Sequence, residues 1–210
     1  ATDSPRIADV ARAHGHEAIM TRADHASGTE RLAEAITLME LAEDTIVVNV
    51  QGDEPEIPPA LIDALASCLA SDPECPMATA VHPVQSVADW LNPNVVKVVA
   101  DAEERALLFS RAPLPWSRSH LAWGLDAGTP QARQAFEAAQ PLRHIGMYAY
   151  RSRFLTRYAQ LDPCALEDIE ALEQLRVLHH GYRIKLLHTD DAPPAGVDTP
   201  ADLERVRARL

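Results

Sequence analysis

The chain has 210 residues, a hydrophobic content of 47% and a formal net charge of −12, which fits one globular domain with a substantial core. The acidic balance includes no basic stripe, so we expect no nucleic-acid partner and no anionic-membrane partner. No apolar run approaches the roughly 18 residues of a membrane-spanning helix. The three cysteines form no CxxC pair, which favours reduced thiols in a cytoplasmic protein.

The first residues, 1–5, look like the end of a strand that runs into a helix, so we expect the chain to begin part-way through a domain. Ser4 as N-cap, with Pro5 in the first turn, predicts a short helix to about Ala13. A short strand is predicted next, over residues 17–20.

A polar segment, residues 21–31, leads into an amphipathic helix. Ser27 and Glu30 have the spacing of a capping box, which places the backbone amides of Ser27, Gly28 and Thr29 at a helix N-terminus. Such a terminus suits an anion or a polar base edge. A plain capped helix is the simpler alternative, and both interpretations stay open on this pattern.

Residues 45–50 form a nearly unbroken apolar run, which predicts a short strand buried on both faces. The run stops at Gln51, where Gly52 and Pro55 break the strand and two carboxylates appear. Ligands bind at the carboxyl ends of strands in open α/β sheets. Asp53 could therefore hold a divalent cation against a phosphate, or else Asp53 and its neighbour form only a solvated turn.

Helices and strands alternate in the next part of the chain. A helix is predicted over residues 59–70 and a strand over residues 77–84. Two further strands, 94–100 and 105–110, flank a short polar turn and form a hairpin. This order predicts an α/β fold with a mixed, mostly parallel sheet and an antiparallel hairpin extension.

Residues 143–151 alternate like a strand that carries an aromatic face. His144, Gly146, Tyr148 and Tyr150 share this face because successive side chains of a strand point to opposite sides. Such a face could bind a polyhydroxylated acid or could pack against a helix, and both remain open.

The last third of the chain predicts a helix over residues 162–180, a strand over residues 183–188 and a final helix capped by Thr199. On the first helix three side chains share a polar face, which is usually solvated. They are Glu167, Glu170 and Gln174. Asp198 precedes the final cap and has no basic partner nearby in sequence.

Five segments, in order along essentially all 210 residues, resemble the 3-deoxy-manno-octulosonate cytidylyltransferase family, also called CMP-Kdo synthetases. They are TRADHASGTER (21–31), VNVQGDEP (48–55), RHIGMY (143–148), LEDIEALEQLR (166–176) and GVDTP (196–200). The resemblance implies a Rossmann-like nucleotide-diphospho-sugar transferase fold in a single domain over residues 1–210. It also implies a homodimer of the cytoplasm that makes CMP-Kdo and pyrophosphate from CTP and Kdo for lipopolysaccharide biosynthesis.

The same resemblance implies the site residues. Two carboxylates would be catalytic and would hold Mg²⁺, namely Asp53 and Asp198. The CTP pocket would comprise Arg22, Ser27, Gly28, Thr29, Arg31, Gln51 and Asp53. The Kdo pocket would comprise Gln51, Arg111, His144, Tyr148, Glu170 and Gln174, with Arg111 facing the Kdo carboxylate and Glu173 as a further member.

These residues suit the chemistry. Mg²⁺ prefers one or two carboxylates together with phosphate oxygens and water, and it would stabilise charge on the α-phosphate while a sugar hydroxyl attacks. No protein nucleophile is needed, in agreement with the lack of a GxSxG or related motif. Positioning and electrostatics would supply most of the acceleration.

The sequence departs from the family at its beginning, because the family's first strand and its phosphate-gripping loop are not present in these 210 residues. We therefore expect this chain alone to be unstable or inactive. Two alternatives stay open. The first is a cytidylyltransferase for a related acidic sugar, either 8-amino-Kdo or an N-acylneuraminate, and the second is a non-catalytic remnant that serves as a binding module.

Overall fold

A computed structural model describes residues 1–25, 27–118, 127–190, 193, 196–197 and 199–209. Within these ranges, nine helices and six strands form an α/β fold around one sheet. The helices are α1 (Pro5–Ala13), α2 (Gly28–Leu38), α3 (Pro59–Ser71), α4 (Val87–Leu91), α5 (Pro130–Ala139), α6 (Ser152–Tyr158), α7 (Ala165–Glu170), α8 (Gln174–His179) and α9 (Pro200–Arg207). The strands are β1 (Ile46–Asn49), β2 (Met77–Pro83), β3 (Lys97–Ala100), β4 (Ala106–Ser110), β5 (Leu142–Arg151) and β6 (Ile184–His188).

Strand β5 is the centre of the sheet. One of its edges pairs with β2, and the other is shared by β1 at the carboxyl end of β5 and β3 at its amino end. The sheet continues from β3 to β4 and from β2 to β6. The predicted hairpin of β3 and β4 is confirmed, and β2 with β6 is the one parallel pair between the described strands.

The prediction of a mostly parallel sheet is wrong. The helix-separated strands β1, β2 and β6 do share one direction, but β5 lies between β1 and β2 and runs against both. Each neighbour of β5 therefore pairs with it in the antiparallel sense. Periodicity identifies β5 as a strand, but it does not tell where a strand is inserted into the sheet.

Helices cover both faces of the sheet. Alternate residues of β2 accordingly contribute to two separate cores. Met77 and Val81 join a core with residues of α2, α6 and α8. Ala78 and Ala80 join a second core with three leucines of α3, namely Leu61, Leu65 and Leu69. This layering fixes the ends of β1 and β5 between α2 and α8, where a cavity lies.

Strand β1 is only half-buried along its length, so the prediction of burial on both faces is wrong. Its one partner among the described strands is β5, and its second edge has no strand beside it there. A strand with a single neighbour has less covering on its faces than an interior strand. Among the described helices, none combines the length and the apolar character needed to cross a bilayer.

The helix predicted over residues 162–180 is in fact two short helices. Ala171 follows α7 with φ of 49°, a left-handed backbone conformation that ends the helix, and α8 begins at Gln174. The strand predicted over residues 17–20 is reduced to one parallel bridge between Met20 and Thr2. Helices α4 and α6 were missed, since both are short and α6 follows β5 without a break.

Candidate active site

A cavity of about 620 Å³ opens beside the carboxyl end of β1. Three segments surround it: the first turn of α2, residues 50–53 after β1, and the connection from α7 to α8. The tyrosines of β5 and Tyr158 of α6 complete the wall. The cavity thus brings together residues that lie more than a hundred positions apart in the sequence.

Most of the residues predicted for the nucleotide line this cavity, namely Gly28, Thr29, Arg31, Gln51 and Asp53. Ser27 does not line it but caps α2, because its hydroxyl accepts the Glu30 N–H at 3.2 Å. Arg22 also lies outside the lining, and its Nε faces carboxylate oxygens of Asp24 and Glu34 at 3.6 and 3.7 Å. The predicted cap is confirmed, and it fixes the first turn of α2, whose Gly28 and Thr29 line the cavity.

Arg31 brings a positive charge to the nucleotide side. One guanidinium nitrogen donates to the Thr21 hydroxyl at 2.7 Å and lies 3.4 Å from an Asp3 carboxylate oxygen. The side chain remains 24% exposed. These contacts orient the guanidinium and leave part of it accessible to an anion.

Thr29 links the two sides of the cavity. It is only 4% exposed, and its hydroxyl donates to the Glu173 carboxylate at 2.9 Å. The Tyr150 hydroxyl lies 3.4 Å from the Thr29 hydroxyl oxygen. The first turn of α2 is therefore tied to the α7–α8 connection through side chains.

Asp53 is exposed in the turn after β1. Its carbonyl accepts the Val197 N–H at 2.7 Å, and a Cβ built on Gly196 would meet the same oxygen at 2.9 Å. Residues 196–197 therefore pack directly on the backbone of Asp53. Asp198 lies outside the described residues. Within the described part of the chain, no three side chains of metal-binding type come together.

The aromatic face predicted for β5 is confirmed. The His144 and Tyr148 rings lie 5.3 Å apart between centroids, and the Tyr148 and Tyr150 rings lie 6.0 Å apart. Burial raises the pKa of both tyrosine hydroxyls, so they remain protonated at neutral pH. All three rings line the cavity and present uncharged polar groups to it.

His144 is held in its neutral form. Burial lowers the pKa of His144 to about 3, and the nearby charge of Arg143 makes a smaller contribution in the same direction. Its Nε2 lies 2.9 Å from the Thr79 hydroxyl, which itself donates to the Met147 carbonyl at 2.8 Å. Since a hydroxyl has one hydrogen, the Nε2–H donates to Thr79 and Nδ1 is left as an acceptor.

The polar face predicted on residues 167–174 is not solvated. Glu167 is buried and pairs with Arg176 through two contacts of 2.7 Å, and the guanidinium lies over the Tyr158 ring at 5.0 Å. Gln174 lines the cavity and is 2% exposed. Its Nε2 is the one buried side-chain nitrogen without a hydrogen-bond partner among the described residues.

Arg111 and Glu170 lie next to the cavity wall rather than in it. The Glu170 carboxylate accepts the Ser110 hydroxyl at 2.6 Å and the Arg111 N–H at 2.9 Å. The guanidinium donates to the Glu170 carbonyl at 2.6 Å, to Pro93 at 3.0 Å and to Ala171 at 3.4 Å. Three of its five N–H groups thus have acceptors within the described chain.

Several residues of the cavity were not predicted as part of the site. Tyr150 was placed on the aromatic face but not in a pocket, and Tyr158 lies in a helix that was not predicted. Asn49 ends β1 and lines the cavity, and a polar residue that closes an apolar strand is a signal that could have identified it. Thr79 lies inside an apolar strand, where only its contact with His144 reveals a role.

The comparisons with known proteins agree with this geometry. The cytidylyltransferase family model matches residues 1–184. The 3-deoxy-manno-octulosonate cytidylyltransferase of Methylibium petroleiphilum is 56% identical over 210 residues, which are all of this chain and 78% of that protein. A solved structure of CMP:2-keto-3-deoxy-manno-octonic acid synthetase complexed with CTP is 40% identical, with a TM-score of 0.84 over 99% of this chain and 77% of that one. A 4-diphosphocytidyl-2C-methyl-D-erythritol synthase, at 13% identity and a TM-score of 0.53 over 98% of this chain and 76% of that one, shares the fold alone.

Proposed function

The chain belongs to the 3-deoxy-manno-octulosonate cytidylyltransferase family, and from this premise we propose that it couples CTP to Kdo. The products are CMP-Kdo and pyrophosphate, and CMP-Kdo serves lipopolysaccharide biosynthesis. The observation that supports binding of the sugar acid in this cavity is the Gln174 Nε2, which has no hydrogen-bond partner among the described residues. This group lies in the cavity wall beside uncharged hydrogen-bonding groups of β5.

The sugar-acid side offers several oriented polar groups. A buried donor without a partner costs about 1–3 kcal/mol, so the Gln174 Nε2 favours a ligand that brings an oxygen. Tyr148 offers a protonated hydroxyl, and neutral His144 offers an acceptor nitrogen. A polyhydroxylated acid has both hydroxyl donors and oxygen acceptors, and it matches this set better than an apolar ligand does.

The nucleotide side offers charge and backbone amides. The N-terminal turn of α2 presents Gly28 and Thr29 to the cavity, and amides at a helix N-terminus favour an anion. Arg31 adds a partly exposed guanidinium on the same side. These features support phosphate or base binding there.

The residues present fit Mg²⁺, with Asp53 and Asp198 as the side chains that would hold it. Asp53 is an exposed carboxylate in the cavity wall, and the residue before Asp198 is hydrogen-bonded to the Asp53 backbone. Carboxylate oxygens are the ligands that Mg²⁺ prefers. When bound, the ion would neutralise charge that develops on the phosphate oxygens.

The mechanism requires positioning and no covalent intermediate on the protein. A sugar hydroxyl attacks the α-phosphorus of CTP and loses its proton to water, the new P–O bond forms, and the bond to the departing pyrophosphate breaks. Gln174, Tyr148 and His144 orient the sugar acid, while the α2 terminus and Arg31 orient the nucleotide. Holding the two reactants in line supplies much of the acceleration.

We also propose that the protein works as a homodimer in the cytoplasm. Large apolar side chains remain exposed on the described surface, among them Leu107 at 62% and Ile169 at 81%. These side chains are the candidates for the dimer contact, since a contiguous exposed apolar patch marks a protein interface. Light scattering coupled to size-exclusion chromatography tests this assembly, and a monomeric mass at micromolar concentration would refute it.

Pyrophosphate release from the purified full-length protein tests the activity. CTP is supplied together with Kdo, 8-amino-Kdo or N-acetylneuraminate, and each reaction is run with Mg²⁺ and after chelation. We expect the highest kcat/KM with Kdo and no release after chelation. A higher kcat/KM with 8-amino-Kdo or N-acetylneuraminate would show that this other acid is the substrate. No release with any acid would indicate a non-catalytic binding protein.

A further inference from the structure

Lys97 of β3 carries an ammonium group that is fully buried. It is one of only two lysines in the chain, the other being Lys185. Removing an ammonium from water is costly, so a buried lysine needs strong compensating partners. The partners of Lys97 therefore indicate what the group does.

The Lys97 ammonium donates to three backbone carbonyls. The acceptors are Asn92 at 2.8 Å, Val95 at 2.5 Å and Arg111 at 2.7 Å. These use all three N–H groups of the ammonium. Lys97 thus joins the turn after α4 to the segment that follows β4, and no carboxylate of the described residues contacts its ammonium directly.

The same two segments hold the side chain of Arg111. The Pro93 carbonyl, which accepts from the Arg111 guanidinium at 3.0 Å, lies between the two turn residues that Lys97 binds. Lys97 therefore fixes both the backbone of Arg111 and one of the carbonyls that orient its guanidinium. The Glu170 carboxylate fixes the same backbone from the other side.

We propose that Lys97 is a positioning residue that holds the Arg111 guanidinium beside Ala171 of the cavity wall, where its two N–H groups without an acceptor in the described chain would bind the carboxylate of the sugar acid. This inference rests on the proposed function. Lys97 does not touch the substrate itself, and its effect passes through the Asn92–Val95 turn and the Arg111 carbonyl. Loss of the ammonium should weaken the recognition of the sugar acid and leave the recognition of CTP unchanged.

The environment of Lys97 also predicts a pH dependence. Burial is the main cause that lowers the pKa of Lys97 to about 8, with Glu170 opposing the shift and Arg111 adding to it. A neutral amine has two N–H groups and cannot donate to three carbonyls. The KM for the sugar acid should therefore rise above about pH 8.

Steady-state kinetics of Lys97→Met in the full-length protein tests the inference, with Lys185→Met as the matched control. Lys185 donates to the Glu103 carbonyl, and within the described part of the chain it makes no hydrogen bond to Arg111 or to the Asn92–Val95 turn. We expect about a tenfold rise in the KM for Kdo in Lys97→Met, in line with the loss of charged hydrogen bonds. The KM for CTP should stay within about twofold in both variants, and Lys185→Met should match the parent.

A purely structural role of Lys97 would give a different result. A folded Lys97→Met with an unchanged KM for Kdo, or with equal rises for both substrates, refutes positioning. If this variant does not fold, the pH dependence of the parent protein tests the inference instead. A KM for Kdo that stays constant between pH 7 and about pH 9.5 refutes the positioning role of Lys97. An active parent with an unaffected variant overturns only this inference, whereas a parent inactive on Kdo overturns the proposed function as well.

Discussion

The two sides of the cavity are built in different ways. On the nucleotide side, Gln51 and Asp53 are exposed in a short turn after β1, which has one partner among the described strands. On the sugar-acid side, Tyr150 and Gln174 are almost fully buried, and Thr79 holds His144. The first side recognises its ligand through charge and backbone amides, and the second through neutral side chains already held in place.

The exposed side should show the largest loss of activity on a single substitution. Asp53→Asn in the full-length protein keeps the size of the side chain and removes the charge that would hold Mg²⁺. We expect kcat to fall about 100-fold or more, because a catalytic metal contributes several kcal/mol. The same loss is expected for Asp198→Asn. Pyrophosphate release across a range of Mg²⁺ concentrations measures both.

Asp63→Asn on the exposed face of α3 is the matched control for Asp53→Asn. Its turnover and its thermal unfolding should equal those of the parent. Near-parental turnover of Asp53→Asn would remove the metal assignment. A large drop in the unfolding temperature would instead assign Asp53 to the stability of the turn.

The buried side should lose substrate affinity more than turnover. Gln174→Leu keeps a similar volume and removes the amide that lacks a partner in the described chain. We expect the KM for Kdo to rise about tenfold, in line with one or two lost hydrogen bonds, while the KM for CTP stays constant. Gln160→Leu changes an exposed amide and should leave both constants unaltered. Equal KM values for Kdo in the two variants would exclude Gln174 from the sugar site.

The link between the two sides gives a smaller effect that is measured on stability. Thr29→Val keeps the shape and removes the hydroxyl that donates to Glu173. We expect about 1 kcal/mol less free energy of unfolding in urea, because Glu173 is exposed and can bind water instead. Thr37→Val on the exposed surface of α2 serves as the control. A loss no greater than that of the control would show that the link does not stabilise the fold.

The sequence identified the two sides of the cavity unequally. The turn after β1 and the cap of α2 were predicted, because Gly52, Pro55 and Ser27 are local signals that act within a few residues. The strand of the aromatic face was predicted from its alternation. The contacts that join these elements were not predicted, since the contact of Thr29 with Glu173 spans 144 positions.

The helix before Gln174 shows why the rest was missed. Continuous helical spacing predicted one helix with a solvated polar face, but the left-handed Ala171 breaks it and turns Gln174 into the cavity. Alanine has high helix propensity, so no local signal marks this break, and tertiary packing overrides the propensity. The antiparallel insertion of β5 has the same origin, because strand order depends on packing between distant segments.

The last expected effect concerns the pH dependence of stability on the buried side. The pKa of His144 is lowered to about 3 in the folded protein, from an ordinary value of 6.5. Between these values the unfolded chain binds a proton that the folded protein does not, so stability falls as the pH drops from 6.5 toward 3. His144→Gln should make this decline less steep, by at most the slope that corresponds to the uptake of one proton on unfolding. Urea unfolding at several pH values gives the slopes, and parallel slopes for the parent and His144→Gln would mean that the imidazole is accessible to protons in the folded cavity.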